Sequence, residues 1–124
     1  MKVKTSELTG AALDWAVAKC EGKEAAQIKF NGPVHLFRKV GYDPMPWQPS
    51  TDWAQGGPIV EREMLDVEWT TSSLCRASYD WLDEAFFEGF GPTPLIAAMR
   101  CYVASKMGGE IDIPKELKNE TENI

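Results

Sequence analysis

The chain has 124 residues, of which 44% are hydrophobic and 26% are charged, and its net charge is −6. These values are typical of one globular domain that buries a core without metal or disulfide crosslinks. No run approaches the roughly 18 apolar residues of a membrane span, and the first residues lack the apolar segment of a signal peptide. We therefore expect a single domain over residues 1–124, located in the cytoplasm.

The charge is distributed unevenly. Residues 1–39 carry seven Lys and Arg against four Asp and Glu, whereas residues 40–124 carry six against fifteen. A protein that binds nucleic acid needs a basic surface to displace counterions from phosphates. No basic cluster occurs, so no direct binding to nucleic acid is expected. The odd number and wide spacing of the cysteines predict neither a disulfide framework nor a thiol zinc site.

The first predicted elements are a helix and two strands. Apolar residues recur at spacings of three and four between a possible N-cap at Thr9 and a stop at Gly22, which predicts a helix over residues 10–21. Strand-like segments follow at 26–30 and 34–40, separated by an Asn-Gly-Pro turn signal.

Residues 41–58 are predicted to form a long irregular loop. The segment contains four prolines and three glycines, which disfavour both helix and strand. Structureless stretches of this length are uncommon in compact domains and are often functional. Trp47 and Trp53 also lie here. The central loop is therefore the first place to expect a binding site.

Strand-like segments resume at 59–63, 65–69 and 74–79, and a mixed acidic and aromatic segment follows at 80–88. A helix is then predicted over residues 94–107.

The limits of this last helix have clear signals. Thr93 is a suitable cap, Pro94 suits the first position, and Gly108 suits the end. The polar tail at 114–124 is expected to fray. Together the elements predict an α+β fold in which two helices cover a small antiparallel sheet.

Three stretches of the sequence resemble a known family. They are KTSELTGAALDWAVAK at 4–19, STDWAQGGPIVE at 50–61 and GPTPLIAAMRC at 91–101. All three are similar to the NinX family of lambdoid phages and prophages. The resemblance implies an accessory protein in a bacterial cytoplasm during phage infection or prophage carriage. It implies no reaction.

A nucleotide pocket is the leading hypothesis for the site. The indoles of Trp47 and Trp53 could stack on a base, and Asp52 and Gln55 could bind its polar edge. The backbone of the adjacent glycines could approach a ligand closely; these are Gly56 and Gly57. The alternative is that both indoles simply plug the open end of a small sheet.

Phosphate could be bound by the guanidinium groups of Arg62 and Arg100. The start of the second helix, at Thr93, offers a dipole and amide groups that favour an anion. Capping alone is the simpler role for Thr93. On this hypothesis the protein binds a small molecule without catalysis, sequesters a host defence signal, and forms a homo-oligomer.

Two other functions remain open. The acidic and aromatic residues between Glu61 and Glu88 could bind a host protein, although most charge runs are solvated faces. A nucleotide-processing enzyme is the third possibility, with magnesium on Asp52, Glu61 and Glu63. The single histidine, His35, is more simply a core residue. No metal and no cofactor are expected.

Overall fold

The computed structural model describes residues 1–23, 25–28, 33–36, 45–79 and 87–117. Three α-helices and eight short strands lie within these ranges, so the α+β class is confirmed. The helices are α1 (Gly10–Cys20), α2 (Trp53–Glu63) and α3 (Pro94–Met107). The strands are β1 (Lys2–Lys4), β2 (Ala25–Ile28), β3 (Val34–Leu36), β4 (Met45–Trp47), β5 (Asp66–Thr71), β6 (Leu74–Ser78), β7 (Glu88–Gly91) and β8 (Glu110–Asp112).

The described strands form three small antiparallel sheets. β1 pairs with β8, β3 lies between β2 and β4, and β6 lies between β5 and β7. Val34 faces Trp47 across the β3–β4 pair, and Cys75 faces Gly91 across the β6–β7 pair. The predicted single sheet is therefore divided into three, and β7 and β8 were not predicted.

Helix α3 lies at the centre of the core. It begins where the Thr93 hydroxyl accepts a hydrogen bond from the Ile96 amide, at 3.2 Å, and it ends before Gly108, at a φ of 85°. Its predicted limits are confirmed. Strand β7 lies directly on this helix, because a Cβ at Gly89 would stand 2.5 Å from the backbone nitrogen of Cys101. Only glycine permits that approach.

Helix α1 ends at Cys20, as predicted to within a residue, and Gly22 follows it at a φ of 68°. Thr9 occupies the N-cap position, but its side chain makes no capping hydrogen bond. Most residues of α1 are buried, and most of these are alanine or other small apolar residues. The buried residues are Ala11, Ala12, Leu13, Asp14, Ala16, Val17 and Ala18.

The predicted irregular loop at 41–58 is wrong at residues 45–47 and 53–58, and residues 41–44 lie outside the described residues. Strand β4 lies inside it, and α2 begins at Trp53 and continues through the Gly-Gly-Pro sequence. Proline restricts the residue before it by a clash with that residue's Cβ. Gly57 has no Cβ, so it can remain helical before Pro58. The strand predicted at 59–63 is therefore wrong as well, since these residues complete α2.

Other predictions are met in part. The strands expected at 65–69 and 74–79 correspond to β5 and β6. In the tail, residues 115–117 form a short 3-10 turn and Leu117 is buried, so packing extends beyond Pro114. Residues 118–124, and most of the mixed segment at 80–88, lie outside the described residues.

Candidate functional site

Asp14 fixes the segment that precedes α2. Its carboxylate accepts a hydrogen bond from the Ser50 amide at 2.9 Å, and its backbone carbonyl accepts one from the Trp47 indole nitrogen at 3.0 Å. The Asp14 side chain is buried within α1. Both bonds therefore anchor residues 47–50 to the core, which determines where α2 begins.

Helix α2 begins with an indole in solvent. Asp52 caps the helix, because its carboxylate accepts a hydrogen bond from the Ala54 amide at 2.9 Å. Trp53 occupies the first helical position and remains 57% exposed. Its ring lies beside Gly57, one turn further along the helix. A large apolar ring at this exposure is a candidate contact for a ligand.

The starts of α2 and α3 border one cleft. Its volume is about 260 Å³. Helix N-termini carry partial positive charge and unpaired amide groups, so they favour anions. We call this space the Trp53 cleft. It is lined by Ser50, Thr51, Trp53, Thr93, Pro94, Leu95 and Ile96.

Ser50 provides the most informative atom of the Trp53 cleft. The residue is 1% exposed, and its hydroxyl has no hydrogen-bond partner. Buried polar groups are nearly always paired, so an unpaired one needs an explanation. Among the described residues Ser78 alone shares this property. Ser78 does not line the Trp53 cleft. From the sequence, Asp52 was expected to bind the polar edge of a ligand and not to cap a helix, and nothing indicated that Ser50 would be buried and unpaired.

The two indoles of the hypothesis are not brought together. Trp47 is 7% exposed, and its nitrogen is bonded to α1, as described above. The Lys23 ammonium lies 5.3 Å from its ring centroid. Trp47 therefore fills the core, which was the simpler alternative for it. Trp53 alone faces solvent at the cleft.

Three other predicted residues shape α2. The Gln55 side chain accepts a hydrogen bond from the Gln48 amide and donates one to the Pro46 carbonyl at 2.9 Å. A Cβ at Gly56 would stand only 2.2 Å from the Pro49 carbonyl oxygen. Gln55 and Gly56 therefore have packing roles that already explain them. Gly57 lies beside the Trp53 ring.

Arg62 lies at the other end of α2, about 14 Å from Trp53 along the helix. Its guanidinium binds both carboxylate oxygens of Glu21 and one of Glu63. It also donates to the Tyr102 hydroxyl at 3.2 Å. These bonds lower the pKa of Glu21, with the Arg62 hydrogen bond as the largest cause. Arg62 thus joins the C-terminal ends of α1 and α2 to the side of α3 and does not border the Trp53 cleft.

Arg100 lies one turn beyond Ile96 on α3. Its Nε donates to the Leu8 carbonyl at 2.7 Å, and one Nη donates to the Phe90 carbonyl at 2.8 Å. It borders a separate, smaller cleft and not the Trp53 cleft. Of the nine predicted site residues, only Trp53 and Thr93 line the Trp53 cleft. Their role in ligand binding stays a prediction.

Metal and nucleophile candidates are dispersed. Within the described ranges, no three His, Cys, Asp or Glu side chains are placed to hold a metal ion. The possible magnesium ligands lie at opposite ends of α2, with Asp52 at its start and Glu61 and Glu63 at its end. His35 is buried and bonded to the Pro33 carbonyl. Burial, with Glu21 nearby, raises the pKa of the Cys20 thiol to about 11.

The acidic segment between Glu61 and Glu88 contains several internal pairs. Arg76 bonds to Glu88 at 2.8 Å and contacts Glu68 at 3.5 Å. Glu63 accepts a hydrogen bond from the buried Tyr79. Much of the described negative charge is therefore locally compensated. Asp80, Asp83 and Glu84 lie outside the described residues, as do Trp81 and Phe86.

One protein family matches the chain over most of its length. The family described as Bacteriophage P22, NinX matches residues 4–106. The chain belongs to this family. The match covers α1, α2, all but the last residue of α3 and the six strands β2 to β7, so the NinX resemblance of the sequence is confirmed. A search of curated proteins gives no match. Among the described residues, no helix is both long and apolar enough to cross a membrane.

Proposed function

We propose that this NinX protein is a non-enzymatic phage accessory protein that binds a small ligand in the Trp53 cleft. The ligand carries a planar ring and one anionic group, as a nucleoside monophosphate does. The observation that carries the proposal is the buried, unpaired Ser50 hydroxyl beside an exposed indole, where two helices begin.

The indole supports a planar ring in the ligand. Trp53 is fixed at the first position of α2 and keeps more than half of its surface in solvent. Stacking of a base on an aromatic side chain contributes about 1–3 kcal/mol. A ring stacked on Trp53 would lie near the carboxylate of Asp52, whose Oδ1 already caps the helix. Asp52 is then positioned to contact an amino group on the ligand.

The anionic group is better placed at α3 than at α2. Both helices begin at the cleft, but α2 is capped by a negative carboxylate and α3 by the neutral hydroxyl of Thr93. A carboxylate cap offsets the positive end of its own helix. The Ser50 hydroxyl supplies a donor for the anion without adding charge.

The cleft favours a ligand of low charge. Neither Lys nor Arg appears among its described lining residues, and the whole chain carries a net charge of −6. A nucleoside triphosphate would meet repulsion that two helix ends cannot offset. The volume of about 260 Å³ is slightly below the roughly 300 Å³ at which ordinary ligand pockets begin. A nucleoside monophosphate that is partly exposed to solvent fits both the low charge and the small volume.

Binding of the ligand without a chemical reaction would be enough to sequester it. A phage protein that holds a nucleotide-derived host signal lowers its free concentration without any catalytic group. We expect this to take place in the bacterial cytoplasm, in a homo-oligomer. Native mass spectrometry of protein purified from infected cells reports the subunit number together with any retained small molecule.

The direct test is calorimetric titration with the common nucleoside 5′-monophosphates, with the matching nucleosides and inorganic phosphate as separate arms. Trp53→Ala should weaken binding roughly 5- to 150-fold, since it removes a stacking contact of about 1–3 kcal/mol. The matched control is Trp69→Ala, because Trp69 is 56% exposed but lies on β5.

Two results would count against this proposal. One is the absence of binding by every probe to wild-type protein that is folded. The other is equal binding by the Trp53→Ala and Trp69→Ala variants. Loss of binding in the Trp53 variant alone, with unchanged thermal stability, supports a stacking role.

A second candidate is inhibition of a host protein through the region between Glu61 and Glu88. The observation that favours it is the group of exposed apolar side chains on β5 and β6, where Trp69 is 56% and Leu74 is 37% exposed. Pull-down from host lysate with wild-type, Trp69→Ala and Trp53→Ala proteins separates the two functions. A partner lost only with Trp69 supports this candidate, and an unchanged set of partners removes it.

A further inference from the structure

A second, smaller cleft lies beside the middle of α3, at Arg100 and Ala104. It has a volume of about 130 Å³ and is bounded by the first 3-10 turn, β7 and α3. We call it the Arg100 cleft. Its lining residues are Thr5, Ser6, Glu88, Gly89, Phe90, Arg100 and Ala104. None of them lines the Trp53 cleft.

Arg100 differs from the other arginines of the described ranges. Arg62 and Arg76 each contact two carboxylates. Arg100 instead donates to two neutral carbonyls, those of Leu8 and Phe90, and no described acid is within ion-pair distance. A guanidinium has five N–H donors, so donors remain after these bonds. Burial lowers the pKa of Arg100.

The acid in the same cleft does not neutralise Arg100. Glu88 bonds to the Nε of Arg76 at 2.8 Å, across the β6–β7 pair. Arg100 is only partly buried, but partial burial of a charge without a counterion is still unfavourable, and a guanidinium fork matches the two oxygens of an oxyanion. The buried Thr5 and the exposed Ser6 add hydroxyl groups at the wall and rim.

We infer that the Arg100 cleft is an anion-binding site for a carboxylate or phosphate group, with Arg100 as its charge partner. The small volume admits the anionic head of a ligand and not a second ring. The exposed Phe90 at the same cleft offers an apolar contact to whatever carries that head. This site is independent of the proposed function of the Trp53 cleft, because it is formed by different residues. Its positive charge comes from the Arg100 guanidinium and not from a helix N-terminus.

The test follows the Arg100 Nε–Hε signal by NMR in the folded full chain, with titration of inorganic phosphate in one arm and acetate in the other. A saturable shift is expected, and the arm that saturates at lower concentration identifies the preferred chemistry. Ser6→Glu places a negative charge at the rim while the Arg100 bonds stay intact. It should weaken binding roughly tenfold, as expected for a unit charge acting over several ångströms near a protein surface.

Matched variants separate a local effect from a change in net charge. Ser6→Lys should tighten binding, whereas Ser73→Glu, in the exposed β5–β6 turn, should leave it unchanged. The inference is overturned if Arg100 shows no saturable shift with either anion, or if Ser6→Glu and Ser73→Glu have equal effects. Because the reporter is Arg100, this result does not depend on whether nucleotides bind at Trp53.

Discussion

Substitution of Gly56 tests whether the close packing of α2 against residue 49 forms the Trp53 cleft. In Gly56→Ala, the new Cβ would stand 2.2 Å from the Pro49 carbonyl oxygen and 2.8 Å from a methyl group of Leu95. The Leu95 side chain can rotate away. The Pro49 carbonyl cannot, because it belongs to the backbone and the next residue, Ser50, is anchored by its hydrogen bond to Asp14. Ordinary contact begins at 3.4 Å, so the helix or the loop must move by more than 1 Å.

The expected loss of stability combines two opposing effects. Overpacking of this kind costs about 1–3 kcal/mol, whereas alanine favours a helix over glycine by up to ~1 kcal/mol. The net loss should therefore be about 1–2 kcal/mol. For a chain of this size that corresponds to a fall in Tm of roughly 3–10 °C. The displaced α2 start should also weaken ligand binding at the Trp53 cleft.

Urea denaturation followed by circular dichroism measures the change. Gly109→Ala is the matched control, because a Cβ there would meet no atom within 4 Å. It should change the free energy of unfolding by less than ~0.5 kcal/mol. If Gly56→Ala is as stable as Gly109→Ala, or more stable than wild type, the inferred contact between α2 and Pro49 is wrong.

Three further predictions concern a helix cap, an ion pair and a thiol. Thr93→Ala should lose about 1 kcal/mol of stability by thermal unfolding, because the Ile96 amide loses its cap; Thr93→Ser should retain most of it, and an equal loss in both would contradict the capping role. Glu21→Gln should be less stable than wild type above the ordinary glutamate pKa of about 4.3. The bond from Arg62 depresses the Glu21 pKa in the folded state, so the difference must shrink as pH falls through that lower value; a difference independent of pH would refute it. Cys20, whose pKa is raised to about 11, should react with iodoacetamide at pH 8 far more slowly in the folded than in the unfolded protein, and equal rates would contradict its burial.

The sequence predicted the helices at both ends because their signals are local. Thr93, Pro94 and Gly108 lie at the positions that a helix start and end require. The same approach failed at α2, where Gly56, Gly57 and Pro58 were interpreted as breakers. Gly56 is needed for contact with residues outside its own helix. No local pattern carries that information.

The candidate site was predicted in part for the same reason. The capping position of Thr93 follows from local signals, whereas the exposure of Trp53 depends on α2, which the sequence did not predict. The burial of Trp47 and Ser50 depends on Asp14, which lies more than thirty residues earlier in the chain. Arg62 and Arg100 were chosen for their charge. Their partners, Glu21 for Arg62 and the Leu8 carbonyl for Arg100, come from distant segments.

The buried hydroxyl of Ser50 offers the most direct test of ligand binding at the Trp53 cleft. Removing an unpaired buried hydroxyl should stabilise the free protein, by about 1 kcal/mol. Ser50→Ala and Ser78→Ala should both show this gain, since both hydroxyls are unpaired. The free energy of unfolding and the affinity for nucleoside monophosphates should be measured for both variants, and only the stability should change in the same way in both. Ser50→Ala should gain stability and lose affinity, whereas Ser78→Ala should gain stability alone. Unchanged affinity in Ser50→Ala would contradict a ligand role for the cleft.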